Sequence, residues 1–183
     1  MTRAIMTTLA ALTVGIVCCG GCSRAVSEGM GVAMGASGKV VASIPIADLT
    51  RYKGVRIESI TVATEVRPPV EVPSMIRADL TTVAAARGLT PGAEPGLVLS
   101  GEIIHYETAG MVDTAIGPLA EVIVRAKMAD AQTGKVVGQA NLIGRSKATM
   151  SGGEKDLSAG VGKALDKWLK EGGLKKAGEK END

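Results

Sequence analysis

Apolar residues recur along this chain at three spacings, and each spacing predicts a different element. The first is a solid block: Ala4 to Val17 is fourteen mostly apolar residues with no charge. The second is alternation. In residues 54–63, Val55, Ile57 and Ser59 alternate with Arg56, Glu58 and Ile60, the period-two signature of a strand. Leu97 to Ala109, Ala120 to Asp130 and Lys135 to Ala148 predict three more strands, with Val122, Val124, Ala126 and Met128 on one face of the third. The third spacing is helical. Ile76, Leu80, Val83 and Ala84 line one side of a helix over Met75–Arg87, and Leu157, Val161, Leu165 and Trp168 line a second over Glu154–Lys170.

Punctuation residues set the boundaries. Pro68, Pro69 and Pro73 break the chain before the first helix, Ser74 is its candidate N-cap, and Gly88 ends it. DAQTG, Asp130 to Gly134, is a tight turn with Gly134 in the left-handed position. Gly138 and Gly144 are candidate bulges in the last strand. The predicted order is β-α-β-β-β-α over residues 54–170. This is an α+β fold, with an antiparallel or mixed four-stranded sheet and two helices packed on one face. Residues 22–53, with five glycines between Gly29 and Gly38, read as a Gly-rich tether. Residues 171–183, rich in Gly and charge, read as a frayed tail.

Composition narrows the chemistry. The 183 residues are 45% hydrophobic and 22% charged, with no Phe, one Trp, two Tyr and one His. Stacked-aromatic recognition of nucleic acid has too few rings, and His105 alone cannot make a multi-histidine metal site. All three cysteines lie within residues 18–22, so the domain has no disulfide. Its core must be built from branched aliphatics, Met and Trp168, whose ring is expected to pack on the sheet.

The apolar block is an address. Arg3 is the only charge before Arg24, and fourteen residues are short of the ~20 that span a bilayer. Residues 1–21 therefore predict a secretory signal peptide. Gly20 and Gly21 before Cys22 resemble the lipobox of bacterial lipoproteins, with Cys19 where that pattern usually has Leu. The resemblance implies cleavage in front of Cys22 and acylation of its thiol. Ser23, in place of an acidic residue, points to the periplasmic face of an outer membrane.

Three motifs are shared with a known class. Tyr52-x-x-Val55 precedes the first strand, Gly96-Leu97-Val98-Leu99-Ser100-Gly101 opens the second, and Asp130-x-x-Thr133-Gly134-Lys135-Val136 forms the hairpin. This pattern resembles bacterial envelope lipoproteins of the domain of unknown function numbered 4410. It is loosely similar in layout to the curli-secretion lipoprotein domain. The resemblance implies a fold and an envelope location; it implies no catalytic residue.

The remaining chemistry is sparse. His105 and Tyr106 are strand neighbours and point to opposite faces, with His105 expected beside Leu99 and Ile103. Glu58, Glu102 and Glu107 read as charges on a solvated sheet face. Gly29, Gly31 and Gly35 miss the dinucleotide fingerprint by one residue and follow no strand, so no cofactor is expected. Residues 54–109 hold four arginines against seven acids, a net of −3, and residues 110–153 hold five basic residues against three acids, a net of +2. With no basic stripe to neutralise a phosphate backbone, nucleic acid is disfavoured, and the separation allows head-to-tail association of copies. The loop Gly110–Leu119 offers Met111, Val112, Ile116 and Leu119 as candidate partner contacts. The expectation is a lipid-anchored envelope protein with a non-catalytic interaction domain, accessory to assembly or transport. It would be held to the membrane through Cys22 and bound to an envelope protein partner. The alternative is a soluble periplasmic module that binds a small ligand.

Overall fold

In the computed structural model of the protein, residues 36–108, 120–146 and 153–176 are described. They form β1 (Ser37–Ile44), β2 (Gly54–Val62), α1 (Val72–Ala86), β3 (Gly96–Glu107), β4 (Glu121–Asp130), β5 (Val136–Arg145) and α2 (Gly153–Glu171). The strands make one open sheet in the order β1-β5-β4-β3-β2. β2 and β3 run parallel on either side of the α1 crossover, and every other pair is antiparallel. The α+β class and the two helices agree with the sequence pattern, but the sheet has five strands, not four. The additional strand, β1, lies inside the stretch whose glycines read as a tether. It pairs with β5 from Ser37↔Arg145 to Ile44↔Gln139.

Both helices cover the same face. α2 lies across β1, β5 and β4, while α1 packs on β2 and on α2. The face beneath them holds Val55, Ile57 and Ile60 of β2, Leu97, Leu99 and Ile103 of β3, Val122 to Met128 of β4 at alternate positions, and Ala140 and Leu142 of β5. Trp168, Leu157, Val161 and Leu165 of α2 are buried against them, as the helical spacing predicts. With no Phe in the chain, burial is spread over many aliphatic side chains, each contributing ~1.5–3 kcal/mol.

Glycine replaces side-chain packing where α2 meets the sheet. A Cβ on Gly144 would lie 2.3 Å from Leu157 O and 2.8 Å from Val161 N, and a Cβ on Gly160 would lie 2.6 Å from Ser37 O. Helix and sheet backbones therefore touch along this line. Gly144 is not a bulge: it stays in register with both Gly38 and Val122. The irregularity in β5 sits beside Gly138, whose missing side chain admits the Trp168 ring.

The ends of the helices depart from the pattern in two places. α1 begins at Val72 rather than after Pro73, because proline is tolerated in a first turn that needs no N–H donors. Ser74 is not the N-cap; its hydroxyl donates to Glu71 O. Gly88 does end α1, with φ +80°. After α2 the chain does not fray at once: Leu174 is buried, its N–H bonds Leu169 O, and its carbonyl accepts from the buried Arg87. Arg87 also pairs with Asp166 at 2.9 Å, tying the end of α1 to α2. Burial pushes the Asp166 carboxyl up, but hydrogen bonds from Arg87 and Lys176 outweigh it and hold the group below the usual carboxylate range.

Candidate interaction surface

The second face of the sheet carries no helix among the described residues, and its chemistry follows the strand order. β1 and β5 contribute Lys39 and Arg145 and no acid. β3 contributes Glu102 and Glu107 and neither Lys nor Arg, and β2 adds Glu58 and Arg56. The charge separation seen along the chain thus becomes a separation in space, with an acidic side at β2 and β3 and a basic side at β5 and β1. Two ion pairs cross between neighbouring strands, Glu102 with Arg125 at 3.4 Å and Glu121 with Arg145 at 2.5 Å. Such pairs on a solvated face add at most ~1 kcal/mol each. A broad concavity of about 640 Å³ lies over the β2 irregularity, lined by Glu58, Thr61, Ser100, Glu102, Arg125 and Lys127 among others.

His105 does not stand where simple alternation places it. β3 shifts register between Ile103 and His105, so His105 pairs with Ile123 while Ile103 pairs with Val124. One inserted residue moves every later side chain to the other face. His105 consequently sits on the open face, half exposed, 3.7 Å from Glu107, and away from Leu99 and Ile103. Tyr106 turns under the helices instead. Burial raises the pKa of its phenol, aided by the charges of Glu154 and Glu71. No nucleophile is paired with His105 among the described residues, and no group of three metal-ligating side chains occurs there.

The residues of the Tyr52 and Asp130 motifs meet in one corner. Tyr52 Oη donates to Asp130 Oδ2 at 2.8 Å across 78 positions of sequence. Arg51 donates to Tyr52 Oη, lies 4.7 Å from the ring centroid and pairs with Asp130 at 3.2 Å. Asp130 Oδ1 accepts the N–H groups of Gln132 and Thr133, which shapes the turn that Gly134 closes with φ +70°. The Thr133 N–H and the Tyr52 hydroxyl hold the Asp130 carboxyl down to about 2. The corner ties the approach to β2 to the β4–β5 hairpin. It explains the motifs as architecture.

The two edges of the sheet are the features that sequence reasoning missed. At β1, Lys163 Nζ donates to Ala36 O and Lys167 Nζ to Gly38 O, covering the start of the strand. Beyond it, Val41 and Ile44 are exposed. At β2, Thr90 N–H bonds Lys53 O and Arg77 Nε donates to Ile57 O, covering the start of that strand too. Val62 beyond it is exposed. The alternation of Lys39, Val41 and Ser43 against Val40 and Ala42 was the available signal for β1, and the glycines before it obscured it. Cys22 and the loop residues Met111, Val112, Ile116 and Leu119 lie outside the described residues. No helix among the described residues is long and apolar enough to cross a membrane.

No family model matches the chain, and no curated protein does. Solved structures do. The PelC dodecamer from Paraburkholderia phytofirmans is 20% identical, with a TM-score of 0.54 over 72% of this chain and 96% of that one. A point variant of the same PelC in another crystal form gives 20% identity and a TM-score of 0.50, over 73% and 96%. A protein from Xanthomonas campestris is 12% identical, with a TM-score of 0.47 over 72% and 94%. The five-stranded α+β fold is thus the fold of PelC.

Proposed function

We propose that this chain is a lipid-anchored protein of a bacterial cell envelope whose domain works by binding other protein surfaces, without catalysis, in assembly or transport. The observation that carries the reading is Cys22 behind Gly20–Gly21 and an apolar block too short to span. One acyl chain holds a protein to a bilayer only marginally, so stable retention uses the several chains that a lipoprotein cysteine carries. Ser23 directs the anchored protein to the periplasmic face of the outer membrane. The fold supports the reading, because PelC with the same fold is a dodecamer, and association of copies is part of the proposal. So do the paired charges of the open face, which offer a patterned surface for recognition by another protein. The envelope class named by the Tyr52 and Asp130 motifs is part of the same proposal.

Radiolabelled palmitate fed to the native host tests the anchor. The full chain should incorporate label and sediment with membranes, and Cys22→Ala should lose both. Recovery of the unsubstituted chain as a soluble periplasmic protein with an unmodified Cys22 would overturn the anchor. The concavity over Glu58, Glu102, Arg125 and Lys127 favours one second reading, a soluble module that binds a small polar ligand. That reading predicts retention of a ligand on the purified chain, detectable by native mass spectrometry.

A further inference from the structure

We infer that copies of this chain join head to tail, with the β1 edge of one copy pairing antiparallel to the β2 edge of the next. The inference rests on the reading of the domain as an interaction module, and it names the partner and the surface. Three independent features of the sheet carry it.

The first is direction. β5 is antiparallel to β1, β4 to β5 and β3 to β4, while β2 is parallel to β3. β2 therefore runs opposite to β1. Two copies placed side by side in the same orientation bring these edges together as an antiparallel pair, whose bonds run straight across between the strands.

The second is height. Following the pairs across the sheet, Thr61 is level with Glu102, Arg125, Asn141 and finally Val41. Val62 is likewise level with Ile103, Val124, Leu142 and Val40. The part of β2 left uncovered by the described residues, Ile60–Val62, thus stands at the height of Val40–Ala42, the part of β1 they leave uncovered. The covered parts lie elsewhere. Gly38, held by Lys167, is level with Tyr106, beyond the last paired residue of β2. Ile57, held by Arg77, is level with Leu99, Met128 and Gly138, beyond the paired end of β1. Facing also agrees, because Thr61 and Val41 lie on the open face while Val62 and Val40 lie on the helix side. Natural proteins blunt exposed edges, and among the described residues the blunting stops at one matching segment on each side. Val41 is 45% exposed and Val62 37%.

The third is charge. The β1 side carries Lys39, Lys163 and Lys167, and its two strands hold no acid. The β2 side is richer in acid, with Glu58, Glu102 and Glu107 against Arg56 and the edge-bonded Arg77. A two-fold β1–β1 contact would set lysines against lysines, whereas the head-to-tail contact sets opposite signs together. A head-to-tail contact leaves one β1 and one β2 edge free on every assembly, so it repeats until a ring closes.

Oxidative crosslinking tests the geometry in the full chain carrying Cys18→Ser, Cys19→Ser and Cys22→Ser, which removes every native thiol. In one copy the two edges are about 19 Å apart across four strand spacings, so no disulfide can close within a chain. Val41→Cys with Thr61→Cys should give a ladder of dimers, trimers and higher species, and either substitution alone should give none. A dimer from Val41→Cys alone would indicate a two-fold contact and overturn the inference, as would a doubly substituted chain that stays monomeric. A charge cycle reads the energy. Val41→Glu and Thr61→Lys should each weaken association by about tenfold, and the double variant should recover to within about threefold of the parent. Multimers untouched by Val41→Glu would overturn the edge contact. None of these outcomes depends on palmitate at Cys22, so the anchor and the interface stand or fall separately.

Discussion

The two halves of the helix-covered face are packed by different means. Under α2, the β1 and β5 backbones touch the helix backbone through Gly38, Gly144 and Gly160. Under α1, contact is made by side chains: Ile76, Leu80 and Ala84 are buried against Val55, Ile57 and Ile60. Gly101, in the middle of β3 on that side, faces movable groups, since its Cβ would meet Ile60 Cδ1 at 2.9 Å and Val124 Cγ1 at 3.1 Å. Backbone cannot yield, whereas a side-chain end can. The α2 half is therefore a fixed joint and the α1 half a deformable one, although both bury the apolar stripe of their helix.

Truncation at the centre of the fixed joint should cost most. Trp168 is fully buried and fills the space left by Gly138. Trp168→Ala should lower unfolding free energy by ~3–5 kcal/mol, read from urea denaturation of the full chain. An unchanged midpoint would show that α2 does not belong to the core. Next comes a single added methyl. Gly144→Ala puts carbon against the Leu157 carbonyl and should cost about 3 kcal/mol, near the top of the range for overpacking. The same methyl at Gly101 should cost only about 1 kcal/mol, because Ile60 can rotate its end away. Equal losses at the two glycines, measured by thermal unfolding, would erase the contrast.

The smallest effect lies outside both joints, in the Tyr52–Asp130 corner. The Asp130 carboxyl, held to about 2, sits below its ordinary unfolded value of ~3.9. A group with a depressed folded pKa stabilises above the unfolded value, and that contribution fades as pH falls toward about 2. Asp130→Asn should therefore shrink the difference between urea midpoints at pH 6 and pH 3. A pH dependence identical to that of the parent would remove Asp130 from the acid response.

Strands with one buried and one solvated face announced themselves by alternation. That is why β2 to β5 were legible from residues such as Val122, Val124, Ala126 and Met128. The helix stripe ending at Trp168 was legible for the same reason. β1 was not, because the positions it turns toward α2 include Gly38 and Ala42. Close backbone contact calls for small residues there, and small residues imitate a linker. His105 was misplaced because a one-residue register shift leaves no trace in composition and yet inverts every face after it. Leu174 was missed because one apolar residue among lysines and glycines makes no pattern; its place comes from Arg87, far away in sequence. Of the candidate surface, the charges were legible and even their segregation was. Their meaning waited on the strand order, which puts the acidic and basic segments on opposite sides of one sheet.

The partnership of β1 with β5 also fixes the order in which the molecule can be completed. Ser43 bonds Gln139, 96 positions later. β2, α1 and β3 are close in sequence and can assemble early, but β1 has no strand partner until β5 is available. Closing so long a loop is slow, and contacts of this separation dominate folding rates. During that interval β5 itself is the bare edge, flanked by a hairpin that has already formed. β1 therefore waits on a strand far along the chain, and its arrival shields the sheet from the irregular pairings that a bare β5 edge would invite.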